Sequence, residues 1–157
     1  MRRLLLALIT AGCLLLQVTM ARATAVNGTF KVENPDVISV TPDDGECKIV
    51  LDEAFDLTGD IVGRMISHFR IEHMGPCDQP APETFSARGT FTGSVLGATG
   101  SFDYIFEGTI DAQGNAQGTL NILPQTGTGG LAGLSGEIHF MGTVGVGGSY
   151  SGDVDFR

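Results

Sequence analysis

From Ser101 to Arg157 apolar and polar residues alternate with a period of two, and the apolar side of the alternation is rich in glycine. The even positions run Phe102, Tyr104, Phe106, Gly108 and Ile110, then Ala116, Gly118, Leu120 and Ile122. They continue as Gly136, Ile138, Phe140 and Gly142, then Gly148, Tyr150, Gly152, Val154 and Phe156. Most residues between them are polar, among them Asp103, Glu107, Gln117, Asn121, Glu137 and Asp153. Successive strand residues point to opposite faces, so this pattern predicts four half-buried strands. A buried face made of aromatics beside glycines does not fill its own volume. It bends, lets backbones approach closely, or leaves space. Gly108, Gly118 and Gly152 stand mid-strand beside large rings, and the expectation of an internal cavity rests on them.

The same alternation runs upstream. Val26 to Val32 is a first strand with Gly28, Phe30 and Val32 on one face, and Asn34-Pro35 breaks it. Ile38 to Val40 extends or caps it, and Pro42-Asp43-Asp44-Gly45 is a turn. Ile49, Leu51, Phe55 and Leu57 share a face of the next strand, and Thr58-Gly59-Asp60 turns the chain into Ile61 to Met74. A proline-rich loop, Pro76 to Pro82, carries Cys77, and Phe85, Ala87, Phe91 and Val95 mark another strand. The link from Pro124 to Leu134 has room for one helical turn at Leu131 to Leu134. The chain therefore reads as all-β: an eight-stranded antiparallel up-and-down β-barrel, a closure that removes exposed edges.

Residues 1–23 read as a secretory signal peptide, with Arg2 and Arg3, an apolar run from Leu4 to Val18, and Ala21-Arg22-Ala23 before the cut. Cleavage after residue 25 fits nearly as well. Cys13 lacks the leucine that a lipoprotein signal prefers at Thr10, so lipidation is not expected. Residues 26–157 form a single barrel domain, secreted or periplasmic, with no membrane association after signal cleavage. With Arg2, Arg3 and Arg22 removed, 6 of the 9 basic residues remain against 18 acidic ones, a net charge of about −12. That acidity argues against nucleic acid as a partner and accords with solubility outside the cytoplasm. Cys47 and Cys77 remain, and two cysteines of an exported chain usually pair. Free thiols are the alternative; a redox or metal pair lacks a Cys-x-x-Cys spacing or a third ligand.

Most motifs carry little chemistry. Gly127-Thr128-Gly129-Gly130-Leu131-Ala132 matches a dinucleotide fingerprint, but glycines and a strand follow where a helix is needed. Asp43, Asp44 and Glu46 lack the alternating ligands of a calcium loop. Asn27-Gly28-Thr29 is a glycosylation sequon only in a eukaryotic host. His68, His73 and His139 do not have the spacing of a metal site, and neither metal nor cofactor is expected. Inward polar groups are more informative. The parity of Ile49, Leu51 and Phe55 carries Glu53 inward, unless a bulge turns it out. Ser67 and His73 share the parity of Ile61, Met65, Phe69 and Ile71, and Tyr104 and Tyr150 lie on apolar faces. A carboxylate near phenol and imidazole in an apolar pocket is a common setting for proton transfer. For the tyrosines the plainer alternative is packing, with hydroxyls reaching the barrel mouth.

Two stretches resemble the allene oxide cyclase and dirigent barrel family. Leu57-Thr58-Gly59-Asp60-Ile61-Val62-Gly63-Arg64, followed by Phe69-Arg70-Ile71-Glu72-His73, is similar to that family's Gly-Asp turn and Ile-Glu-His strand end. Gly127 through Ile138 is similar to its glycine-rich link. That link, with Gly28-Thr29-Phe30, also resembles a bacterial family of unknown function sharing the barrel. The resemblance implies an allene oxide cyclase-like, calycin-like barrel around an apolar cavity, cofactor-free, with room for a homo-oligomer. Related barrels act by holding one conformation of a reactive substrate. The resemblance offers Glu53 as the interior glutamate of a cyclase or isomerase. Ser67, His73, Phe102, Tyr104, Phe106 and Tyr150 are then the residues expected around a small hydrophobic molecule. A non-catalytic carrier and a protein-interaction barrel with a filled interior are the alternatives. An apolar cavity above roughly 300 Å³ favours a ligand, and a filled interior excludes one.

Overall fold

The computed structural model describes residues 23–33 and 35–157. Cys13 and all but the last residue of the expected signal peptide lie outside them. The described chain is nine antiparallel strands and one short 3-10 turn. The strands are β1 (Thr24–Val32), β2 (Asp36–Asp43), β3 (Glu46–Gly59), β4 (Ile61–His73) and β5 (Glu83–Val95). They continue as β6 (Ala98–Ile110), β7 (Asn115–Ile122), β8 (Leu134–Thr143) and β9 (Gly147–Phe156). Strands β3 to β9 follow one another as hairpins, β9 pairs with β1, and β1 pairs with β3. That last pairing runs only from Gly28↔Gly59 to Val32↔Phe55, and it closes the eight-stranded barrel.

Strand β2 lies outside the barrel. It joins β3 beyond the point where β1 leaves, from Asp36↔Asp52 to Asp43↔Glu46, and all eight of its residues are exposed. The expected extension at Ile38 to Val40 is therefore a ninth strand. Its hairpin turn is Asp44-Gly45, both with positive φ (47° and 91°), the geometry that two-residue connections favour. The bulge between Val37 and Ser39, Pro42 and the acidic ends of β2 all weaken its free edge as a template for another chain.

One end of the barrel is closed. Val26, Ile61, Val95, Leu134 and Val154 lie at that end and are buried. Leu131, from the 3-10 turn Gly129–Leu131, is fully buried against them. The expected helical turn thus falls slightly earlier than Leu131 to Leu134, and it acts as a plug. The opposite end carries the 74–82 loop, the turns at 44–45, 111–114 and 144–146, and the crossing from β1 to β2. Cys47 and Cys77 form a disulfide there, with Cα atoms 5.1 Å apart. In the chain-entropy view a loop of that length stabilises the fold by roughly 3–4 kcal/mol.

The two tyrosines fasten the middle of the barrel. Each crosses a glycine on the neighbouring strand, Tyr104 over Gly89 and Tyr150 over Gly28. A Cβ on either glycine would overlap the tyrosine's phenol oxygen. Tyr104 Oη meets Ser67 Oγ at 2.7 Å. Tyr150 Oη accepts the Ile61 N–H at 2.8 Å and lies 3.0 Å from the Ile61 carbonyl oxygen, which it can donate to. Replacing Tyr150 with Phe keeps the ring but leaves a buried N–H without its acceptor. A loss of about 1–3 kcal/mol is expected, read as a lower urea midpoint at unchanged m-value.

Candidate functional site

The open end leads into an apolar cavity of about 230 Å³. Six of its lining residues are phenylalanines: Phe30 on β1, Phe55 on β3, Phe69 on β4, Phe85 on β5, Phe106 on β6 and Phe140 on β8. Each is inward by the parity of its own strand, and together they close a circuit. Ring centroids are 6.0 Å apart from Phe30 to Phe55 and from Phe55 to Phe69, and 5.5 Å from Phe69 to Phe85. The circuit continues at 5.0 Å to Phe106, 5.2 Å to Phe140 and 5.3 Å back to Phe30. Several of these pairs are edge-to-face, the arrangement that the ring quadrupole favours.

The glycines explain how six rings meet across eight strands. A Cβ on Gly118 of β7 would strike Phe106 and Phe85, and one on Gly108 would strike Phe85. A Cβ on Gly142 would meet Phe30. Glycine on these strands gives way to rings from their neighbours. The space expected at Gly108 and Gly118 is thus largely occupied by phenylalanine, and a Cβ on Gly152 would meet only the backbone of Glu137 and Ile138. Of the three glycines Gly118 lines the cavity, whereas Gly108 and Gly152 do not. The cavity's volume is also below the 300 Å³ expected of a ligand site, although about 150 Å³ of apolar space is enough for a benzene ring.

Glu53 is the polar group that matters inside. The β3–β4 register is unbroken from Cys47↔His73 to Leu57↔Gly63, so no bulge turns Glu53 outward. It lines the cavity beside Leu51 and Phe55, where β3 exchanges its partner β1 for β2. It is half-buried and makes no hydrogen bond or ion pair with the described residues. Burial alone raises its pKa to about 7. Glu83, the other acid of the lining, is engaged: its Oε1 lies 2.8 Å from His73 Nδ1.

Of the residues expected around a ligand, only Glu53 and Phe106 line this cavity. Ser67 and Tyr104 are buried below it and bonded to each other, and burial pushes the Tyr104 phenol pKa up. Tyr150 is held at the β3–β4 turn. Phe102 stacks on Phe91 at 4.8 Å toward the closed end. His73 is buried behind the rim, where Nε2 meets the Gln79 carbonyl oxygen at 2.9 Å. His68 and His139 are exposed beside Asp52 and Glu137. Among the described residues no cluster of His, Cys, Asp and Glu could hold a metal ion. Phe30, Phe55, Phe69, Phe85 and Phe140 are site residues that were legible only as core. A second depression, about 310 Å³, lies on the outer wall among His68, Arg70, Ser86, Arg88 and Glu107, whose side chains are exposed.

The hydrogen bond to Glu83 raises the pKa of His73 above its usual value, with the Gln79 carbonyl assisting. The contribution of this pair to stability is fully present below pH of about 6.5 and is lost as pH rises through the higher folded-state value. His73→Gln should therefore lower the melting temperature more at pH 5.5 than at pH 8.5.

Comparison with known proteins gives a family without an assigned activity. The family model described as "Protein of unknown function (DUF3224)" matches residues 26–152. A crystal structure of a protein with unknown function from the DUF3224 family of Shewanella oneidensis MR-1 superposes with a TM-score of 0.71. It is 20% identical and covers 87% of this chain and 99% of its own. At that identity the likeness shows the fold. No curated protein matches. These findings name no allene oxide cyclase or dirigent protein, so what is shown of that resemblance is the barrel.

Proposed function

The chain belongs to the DUF3224 family, and we propose that it is an exported binding barrel that holds one small apolar molecule behind its open end. The observation that carries this reading is the one-ended cavity of about 230 Å³ inside a closed circuit of six phenylalanines. Its size suits a single substituted ring or a short branched chain. Export accords with the Cys47–Cys77 disulfide, because such bonds persist in oxidising compartments.

Titration with 2-phenylethanol should give saturable binding with a Kd of about 1 mM or below. Chemical-shift changes should centre on residues beside Phe69, Phe85 and Phe106. Ala116 lines the mouth, and Ala116→Phe should remove that binding without lowering the melting temperature. Failure of a panel of single-ring and short aliphatic compounds to bind overturns the reading. Native mass spectrometry of the exported protein is the direct search for the natural ligand.

A second reading is favoured by Glu53. A carboxyl with its pKa raised to about 7 and no fixed partner among the described residues is poised to accept or give a proton near neutrality. In that reading the cavity holds a reactive substrate and works as a cofactor-free cyclase or isomerase. Glu53→Gln then abolishes turnover and leaves binding of a neutral ring within about threefold, a change below 1 kcal/mol.

Glu53 also makes a stability prediction independent of any substrate. Its raised pKa means that the fold favours the neutral acid. That advantage is fully present below pH of about 4.5 and is lost as pH rises through about 7. Glu53→Gln should therefore be more stable than the parent at pH 8, by about 1–2 kcal/mol after allowing for its partial exposure, and no more stable at pH 4.

A further inference from the structure

The charge of the cavity wall is one-sided. Among the described residues its lining holds two carboxyl groups, Glu53 and Glu83, and no lysine, arginine or histidine. His73 stands behind the rim, with Nδ1 2.8 Å from Glu83 Oε1. Glu53 lines the cavity beside the phenylalanines with no hydrogen-bond or ion-pair partner among the described residues. The remaining cavity surface is mostly aromatic and aliphatic, and six ring faces or edges approach the space. Aromatic faces attract cations through their quadrupole, most strongly where water is excluded. Fatty acids and other free carboxylates fit poorly, because they would bring a second anion to Glu53 with no cationic side chain of the described lining to receive it.

Resting on the reading of the cavity as a ligand site, we propose that it selects a small apolar molecule bearing a protonated amine. The apolar body lies against Phe69, Phe85 and Phe106, and the ammonium pairs with Glu53. The ammonium supplies the positive charge that the described lining lacks, and the carboxylate offsets the cation's loss of hydration. The acidic surface of the exported chain, with a net charge of about −12, also concentrates cations near the mouth. Partial burial of Glu53 adds a proton linkage. Near pH 6 the empty site holds mostly neutral acid, and pairing with an amine ionises it. Glu83 is the other carboxyl of the described lining, and His73 Nδ1 engages it at 2.8 Å.

The test uses three ligands of one size: 2-phenylethylamine, 2-phenylethanol and phenylacetate, titrated calorimetrically into the full exported protein at pH 7.5. The amine should bind at least tenfold more tightly than the alcohol, and phenylacetate more weakly than both. Glu53→Gln should remove the advantage of the amine and leave the alcohol within about threefold. Amine affinity should rise at least tenfold from pH 5 to pH 8, with proton release at pH 6 seen as a dependence of the heat on buffer. If amine and alcohol bind equally, or phenylacetate binds as well as the amine, the amine proposal is overturned and the apolar-ligand reading stands. If none of the three binds and the wider panel also fails, the cavity is not a ligand site and both fall. If the amine advantage persists in Glu53→Gln, Glu53 is not the anchor and the proposal is overturned.

Discussion

Everything inside this protein depends on the five-residue pairing of β1 with β3. It turns a strip of hairpins into a closed surface, and only a closed surface gives the inward side chains a common interior. The pairing ends at Val32↔Phe55, and β1 leaves the barrel there. Glu53, two residues further along β3, faces the interior just where that partner is lost. On the outer wall the same seam is fastened by charge. Arg64 on β4 contacts Glu33 at 2.7 Å and Asp56 at 3.2 Å, tying the end of β1 across β3. Such exposed pairs contribute little individually, but this one spans the closing strands.

The two ends of the barrel differ because their side chains meet different things. Leu131 enters the closed end from a link outside the strands, and fills it. Among the described residues no comparable plug enters the other end. Its loops carry the disulfide and the buried His73–Glu83 contact, which hold the rim in shape without occupying the interior. Between the ends, tyrosines and phenylalanines lie over glycines of adjacent strands. The glycines let rings reach across one strand to touch residues on the next. The interior is therefore built of interlocked rings, and the remaining space is the part above the circuit that no ring reaches.

Much of this was legible in the chain. The alternation located all eight barrel strands, and the parity of Ile49, Leu51 and Phe55 carried Glu53 inward because the β3–β4 register has no bulge. Phe106 was named for the ligand site, whereas its five partners appeared only as core positions. Ser67, Tyr104 and Tyr150 were inward as expected, but Ser67 and Tyr104 bond to each other two strands apart and Tyr150 bonds to the Ile61 backbone three strands away. Nothing local in a sequence announces a partner 37 or 89 residues distant. The glycines were a partial guide for a related reason: Gly118 lines the cavity, and Gly108 and Gly152 do not. A missing side chain signals room, and only the neighbouring strand determines whether a ring takes it.

The sequence by itself determined which face each residue of a strand turns inward, where the chain turns, and that the interior is aromatic. These are properties of a two-residue period and of composition. Only the tertiary structure decided depth: which end is plugged, which rings meet, and where Glu53 stands relative to them. Depth in a barrel follows from the register between strands and the stagger on closure, and both arise from pairings between residues far apart in the chain.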